Sequence, residues 1–123
     1  MISTTAKGRK AEALVCQYIE QKGYTVMHRN FYCSCGEIDI VAENDDTILL
    51  IEVRMRKKGA AVSGAESITA KKADTMRQCA MEYYQRARMP DFAMRIDAAQ
   101  VEYEDTPNGV QYSIEYFENA LSF

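Results

Sequence analysis

The chain has 123 residues and a mass of 14.0 kDa, the size of one ordinary domain, so residues 1–123 are expected to share a single core. Hydrophobic residues make up 47% and charged residues 27%, which excludes intrinsic disorder, collagen-like repeats and coiled coil. Fifteen Lys and Arg against eighteen Asp and Glu give a net charge of −3, a total that by itself argues against a nucleic-acid partner.

From Thr5 to Gln21 the apolar positions Ala11, Leu14, Val15, Tyr18 and Ile19 recur at helical spacing, and Gly23 supplies a stop. Glu12 lies about 100° round this helix from Ala11, at the edge of the apolar stripe. Tyr24 to Phe31 reads as a first strand and Tyr32-Cys33-Ser34-Cys35-Gly36 as a turn. The second strand is Glu37 to Ala42. After the polar turn Glu43-Asn44-Asp45-Asp46, a third strand runs from Thr47 to Met55, with an apolar centre suited to the inside of a sheet.

The glycine- and alanine-rich stretch Gly59 to Gly64 reads as a mobile loop. A long second helix is expected from about Ser67 to Ala87, burying Met76, Cys79, Ala80, Tyr83 and Ala87 and ending before Pro90. Phe92 to Tyr103 and Val110 to Phe117 are two further strands around the turn Asp105-Thr106-Pro107-Asn108-Gly109. The order α-β-β-β-α-β-β predicts a mixed α/β (α+β) domain, a sheet flanked by helices.

The longest apolar run, Ile48-Leu49-Leu50-Ile51, is far below the roughly 20 residues of a membrane span, and no signal peptide is evident, so no membrane association and a cytoplasmic location are expected. Cys16, Cys33, Cys35 and Cys79 fit no disulfide framework, and reduced thiols are expected. Cys33 and Cys35 with His28 would give at most three ligands at irregular spacing, so a plain turn is expected there rather than a zinc site.

Acidic residues interrupt the strands. With side chains alternating faces, Glu37 and Asp39 share one face of the second strand while Ile38 and Ile40 take the other. On the third strand Leu50, Glu52 and Arg54 share a face. If the two strands form a hairpin, Asp39 and Glu52 oppose each other about 5 Å apart. Burying two like charges costs several kcal/mol unless something positive lies between them, and Mg²⁺ or Mn²⁺ on Asp39, Glu52 and the Val53 carbonyl would serve. The same alternation also fits a solvated edge, with Glu52 paired to Arg54 or Arg95, and the pattern leaves both readings open.

The run Gly36-Glu37-Ile38-Asp39-Ile40-Val41-Ala42, followed by Ile51-Glu52-Val53-Arg54-Met55-Arg56 and preceded by Arg29-Asn30, resembles the YraN-like family of small bacterial proteins. The resemblance extends through Gly8-x-x-Ala11-Glu12, Gly23-Tyr24, Ser67-Ile68-Thr69-x-x-Lys72, Arg95-Ile96-Asp97 and Asn119-Ala120, nearly the whole chain. It implies a restriction-endonuclease-like fold, similar to Holliday-junction resolvases, with an Asp and a Glu-x-Lys pair as nuclease core. Asp39 and Glu52 are then metal ligands, Glu12 a third carboxylate of the site, and Glu37 a holder of water or a second ion. Arg54 stands where the pattern has lysine. Arginine keeps its proton, so it can position and stabilise a phosphate but cannot act as a base, a task left to a metal-bound hydroxide or a carboxylate such as Glu37.

Along the chain the charge is strongly segregated. Residues 37–53 hold six acids and no base, residues 54–77 seven bases and two acids, and residues 91–123 seven acids and one base. Lys7, Arg9 and Lys10 before the site and Arg56, Lys57, Lys58, Lys71 and Lys72 after it could hold a phosphodiester backbone beside an acidic metal centre. The expected activity is metal-dependent cleavage of DNA, structured or branched. The alternative is a non-catalytic nucleic-acid-binding or scaffolding module. Resolvase-type action would need a homodimer, for which Tyr112, Tyr116 and Phe117 are candidates if they are not core.

Overall fold

The computed structural model describes residues 2–59, 69–87 and 91–122, with side chains from residue 6. Helix α1 (Ile2–Gln21) leads into strands β1 (Thr25–Cys33), β2 (Gly36–Glu43) and β3 (Thr47–Lys57), then helix α2 (Ala70–Ala87) and strands β4 (Ala93–Thr106) and β5 (Gly109–Leu121). The mixed α+β order is the expected one. The sheet runs β1-β2-β3-β4-β5, antiparallel throughout except for the parallel β3–β4 pair. A parallel pair needs a long crossover, and the segment containing α2 supplies it. The expected loop over residues 60–64 and the helix start at Ser67-Ile68 lie outside the described residues. No described helix is long and apolar enough to cross a membrane.

Helix α1 stops where Gly23 takes a φ of 96°, letting Gly23 N–H reach the Glu20 carbonyl and Tyr24 N–H the Ile19 carbonyl. Helix α2 begins after Thr69, whose hydroxyl accepts the Lys72 N–H at 3.2 Å as an N-cap. The β2–β3 hairpin closes on Asn44, whose side-chain oxygen accepts the N–H groups of Asp46 and Thr47.

The helices cover opposite faces. Ala11, Val15 and Ile19 of α1 pack on Ile40, Ala42, Leu49, Ile51, Ala99 and Val101, while Met76, Cys79, Ala80 and Tyr83 of α2 pack on Ile38, Val41, Ile48, Leu50 and Ile96. Strand β3 thus buries both faces, which is why its centre is continuously apolar. Tyr112 and Tyr116 are partly buried against the α1 core, whereas Phe117 is 40% exposed.

Two expectations are corrected. Ile38 belongs to the α2 core and Ile40 to the α1 core, so the strict alternation expected for β2 breaks at Asp39. Opposite Asp39 in the β1 register lies Asn30, at a φ of 58°, a left-handed conformation that asparagine tolerates better than most residues. Cys33 and Cys79 form a disulfide across 46 residues instead of remaining reduced, leaving Cys16 and Cys35 free. Cys79 was invisible as a partner because helix packing, not spacing in the chain, carries it to the hairpin.

The β1–β2 turn docks tightly on α2. A Cβ on Gly36 would meet the Thr75 Cγ2 at 2.5 Å, and Thr75, β-branched and held in a helix, cannot swing away cheaply. Gly36→Ala is expected to destabilise the protein by about 1–3 kcal/mol, and Thr75→Ser in the same chain to recover most of that loss by removing the obstructing methyl. Chemical denaturation of the two single variants and the double variant measures this coupling.

Candidate metal centre

Residues Ile40 to Glu43 of β2 pair with Ile48 to Ile51 of β3, and there the ladder stops. The next inward donor on β3, the Val53 N–H, is taken not by backbone but by the Asp39 carboxylate, Oδ2 at 2.8 Å. Strand divergence thus makes room for a side chain between the strands and fixes that side chain with a backbone bond. Glu52 lies beside it with a side chain only 15% exposed. Asp39 and Glu52 therefore converge, as the hairpin reading requires.

The pair is electrostatically under-compensated. Burial first, and the Asp39 carboxylate second, push Glu52 up to about 7, against the pull of Lys72, whose Nζ lies 3.5 Å from Glu52 Oε1. Among the described residues the ion pair of Glu52 is with Lys72, not with the Arg54 or Arg95 of the solvated-edge reading. Arg95 instead holds Asp97 and reaches Glu118.

Glu12 enters from α1. Its pKa is raised by burial and by the nearby Asp39 charge, with a smaller push from Glu37, and it is held by Arg29 at 3.5 Å. Among the described residues its carboxylate does not gather with those of Asp39 and Glu52 into a three-ligand cluster within 4.8 Å. Glu37 is partly buried and faces Tyr32 across the β1–β2 pair, raising the Tyr32 phenol. Arg54, also partly buried, follows Glu52 on the same face of β3 by strand alternation.

The expected nucleic-acid-binding residues fall into two groups. Arg9, Lys10, Lys57 and Lys71 are exposed. Arg56 and Lys58 meet Glu102 at 3.4 Å and Glu104 at 3.6 Å on the adjacent β4, and Lys7 meets Asp105 at 3.9 Å while lying over the Tyr103 ring. The parallel β3–β4 register, Arg56 opposite Glu102, brings the basic segment against the acidic one. Two local counter-ions were not assigned to the site from sequence: Arg29, which stood next to the motif as Arg29-Asn30, and Lys72, read only as a phosphate contact.

The donors suit a hard divalent cation. Two neighbouring carboxylates, one bound to a backbone N–H and the other carrying a raised pKa, would gain from a charge of +2 placed between them, and Mg²⁺ accepts one or two protein carboxylates with water in the remaining positions. In metal-free protein the sign of the pH effect follows from Glu52. Its folded value, about 7, exceeds the ordinary 4.5, so its proton stabilises the fold fully below about 4.5 and that contribution is lost as pH rises through about 7. With a chelator present, thermal unfolding from about pH 5.5 to about pH 8.5 is expected to fall less steeply in Glu52→Gln than in the parent, by roughly 2 kcal/mol. Parallel pH profiles would show that Glu52 is not held in this way.

Comparisons with known proteins agree with the motif reading. The model of the "Uncharacterised protein family UPF0102" matches residues 11–101. A UPF0102 protein of Desulfitobacterium hafniense (strain Y51) is 38% identical over 101 residues, 81% of this chain and 84% of that protein. One from Dichelobacter nodosus is 34% identical over 122 residues, 98% of this chain and 92% of that protein. Another from Desulfitobacterium hafniense (strain DSM 10664 / DCB-2) is 45% identical over 78 residues, and there the match spans 64% of the relative's length. With the matched segment running from α1 into β4 and including both acidic strands, the chain belongs to the UPF0102, or YraN, family.

Proposed function

We propose that this protein is a divalent-cation-dependent phosphodiester hydrolase, a nuclease of the restriction-endonuclease-like kind, acting on structured or branched DNA. The observation that carries the reading is the partly buried Asp39–Glu52 pair at the divergence of β2 and β3, two acids side by side with Lys72 reaching Glu52. Mg²⁺ or Mn²⁺ held by Asp39 and Glu52, with the Val53 carbonyl beside them, would supply Lewis-acid polarisation of a phosphoryl oxygen and a more acidic water.

The chain's own groups divide the remaining work. Asp39, fixed by the Val53 N–H, keeps its second oxygen for the cation. Arg54 stays charged at any working pH and offers a planar fork to phosphate oxygens, so it stabilises charge developing on phosphorus. Lys72 brings from α2 an ammonium to Glu52, at the place where strand β3 itself provides arginine. Glu37 and Glu12 are the carboxylates available to hold a water or accept its proton. Arg9, Lys10, Lys57 and Lys71 offer exposed cations to the backbone of the substrate. Arg56 and Lys58 would exchange Glu102 and Glu104 for phosphate, a small cost for such partly exposed pairs.

A second reading, a nucleic-acid-binding or scaffolding module without turnover, is favoured by Arg54 in the lysine position. Cleavage assays on branched, single-stranded and duplex DNA in Mg²⁺ and Mn²⁺ separate the two. Cutting that falls about a hundredfold or more in Asp39→Asn and in Glu52→Gln is the expected result. Salt-sensitive binding without cutting in either metal favours the module, and cutting that survives both substitutions contradicts the assignment.

A further inference from the structure

Three sulfurs meet where the β1–β2 turn packs on α2. Cys33 ends β1, Cys35 lies in the turn and Cys79 sits midway along α2. Cys33 and Cys79 are joined as a disulfide, and the Cys35 Sγ lies 3.6 Å from one sulfur and 3.8 Å from the other. All three ligand atoms fall within 4.8 Å of one another. Cys79 is buried, Cys33 partly so and Cys35 exposed, giving a site with an inner wall and an open mouth.

The distances discriminate between two uses of such a cluster. A thiolate that attacks a disulfide approaches along the sulfur–sulfur axis, near one sulfur and far from the other. Cys35 is almost equidistant from both, off that axis. In a tetrahedral zinc thiolate, with Zn–S about 2.3 Å, neighbouring sulfurs are about 3.8 Å apart, which is the spacing Cys35 keeps from each partner.

The frame around the sulfurs does not depend on the disulfide. Glu82 accepts hydrogen bonds from Ser34 Oγ at 2.9 Å and Ser34 N–H at 3.2 Å, and the Cys35 thiol points to the Thr75 carbonyl at 3.8 Å. Gly36 permits the close approach to Thr75. Contacts other than the disulfide thus also hold hairpin and helix together.

We propose that Cys33, Cys35 and Cys79 form a thiolate site for a zinc-type d¹⁰ cation, loaded when the Cys33–Cys79 disulfide is reduced. Disulfide and metal are alternative states of one site. A dithiol reductant supplies two electrons and two protons, becoming a disulfide itself while Cys33 and Cys79 become thiols. Binding of the cation then releases three protons, one from each cysteine, and leaves a fourth coordination position open at the Cys35 side. The same hairpin continues into Asp39 and the same helix carries Lys72 in its first turn, so the loaded or oxidised site ties together the two elements that carry the carboxylate pair and its lysine.

The test is anaerobic Co²⁺ titration of the full chain after dithiol reduction and removal of the reductant. One Co²⁺ per chain is expected to give thiolate-to-metal charge-transfer absorption, abolished by Zn²⁺ in competition and by prior oxidation to the disulfide. Cys35→Ser, at an exposed position that leaves folding intact, is expected to weaken binding by more than about tenfold, while Cys16→Ser leaves it unchanged. Asp39 and Glu52 offer only oxygen, so Co²⁺ at that centre gives no such band. Absence of the band in reduced protein, its persistence in the oxidised protein, or its survival unaltered in Cys35→Ser would overturn the proposal.

Discussion

Past the Ile40–Ile51 pair, β2 and β3 no longer exchange backbone hydrogen bonds, and the Val53 N–H is satisfied by the Asp39 side chain instead. An unpaired buried donor there would cost on the order of 1–3 kcal/mol, so the divergence is tolerable only with an acceptor of this reach. Asp39 is thereby pinned between the strands, and Glu52, its neighbour across the gap, cannot escape it without leaving the hairpin. The break in β2 alternation, the left-handed Asn30 opposite and the arrival of Glu12 from α1 with Arg29 from β1 are all arranged around this point.

The same protein shows what a buried carboxylate looks like when it serves structure alone. Asp97 is fully buried on β4 and saturated: Arg95 grips it with two bonds of 2.9 and 3.0 Å, the Tyr116 hydroxyl donates at 2.6 Å and the Asn119 N–H at 2.7 Å. Asn119 adopts a φ of 54° to aim that N–H, which gives the Arg95-Ile96-Asp97 and Asn119-Ala120 motifs a structural reason. Among the described residues Asp39 takes a backbone donor and Glu52 a lysine at 3.5 Å, and the Glu52 pKa stays raised all the same. A cation bound there, as proposed, would offset the cost that the raised Glu52 pKa reports.

Much of this was legible in the chain. Period-two patterning placed Glu52 among buried apolar residues, the four-residue polar turn fixed the hairpin, and together they put Asp39 opposite Glu52. The α2 stripe of Met76, Cys79, Ala80 and Tyr83 followed from helical spacing and is buried as expected. What escaped depends on contacts between elements far apart in sequence. Strict alternation misplaced Ile40 because the strand distortion at Asp39 is imposed by its tertiary neighbours. Lys72 and Arg29 reach the site from α2 and β1, and Cys79 reaches Cys33 across 46 residues, none of which spacing encodes. Segmental charge located basic stretches but not their partners, since the β3–β4 register sets Arg56 against Glu102.

In the proposed function Asp39 and Glu52 are held together to share a divalent cation. Anomalous diffraction from crystals grown in Mn²⁺ tests it most directly. A single strong anomalous peak bonded to carboxylate oxygens of both residues is the expected result. Manganese found elsewhere on the protein, with the Asp39–Glu52 pair bridged by water or by the Lys72 ammonium alone, would contradict it.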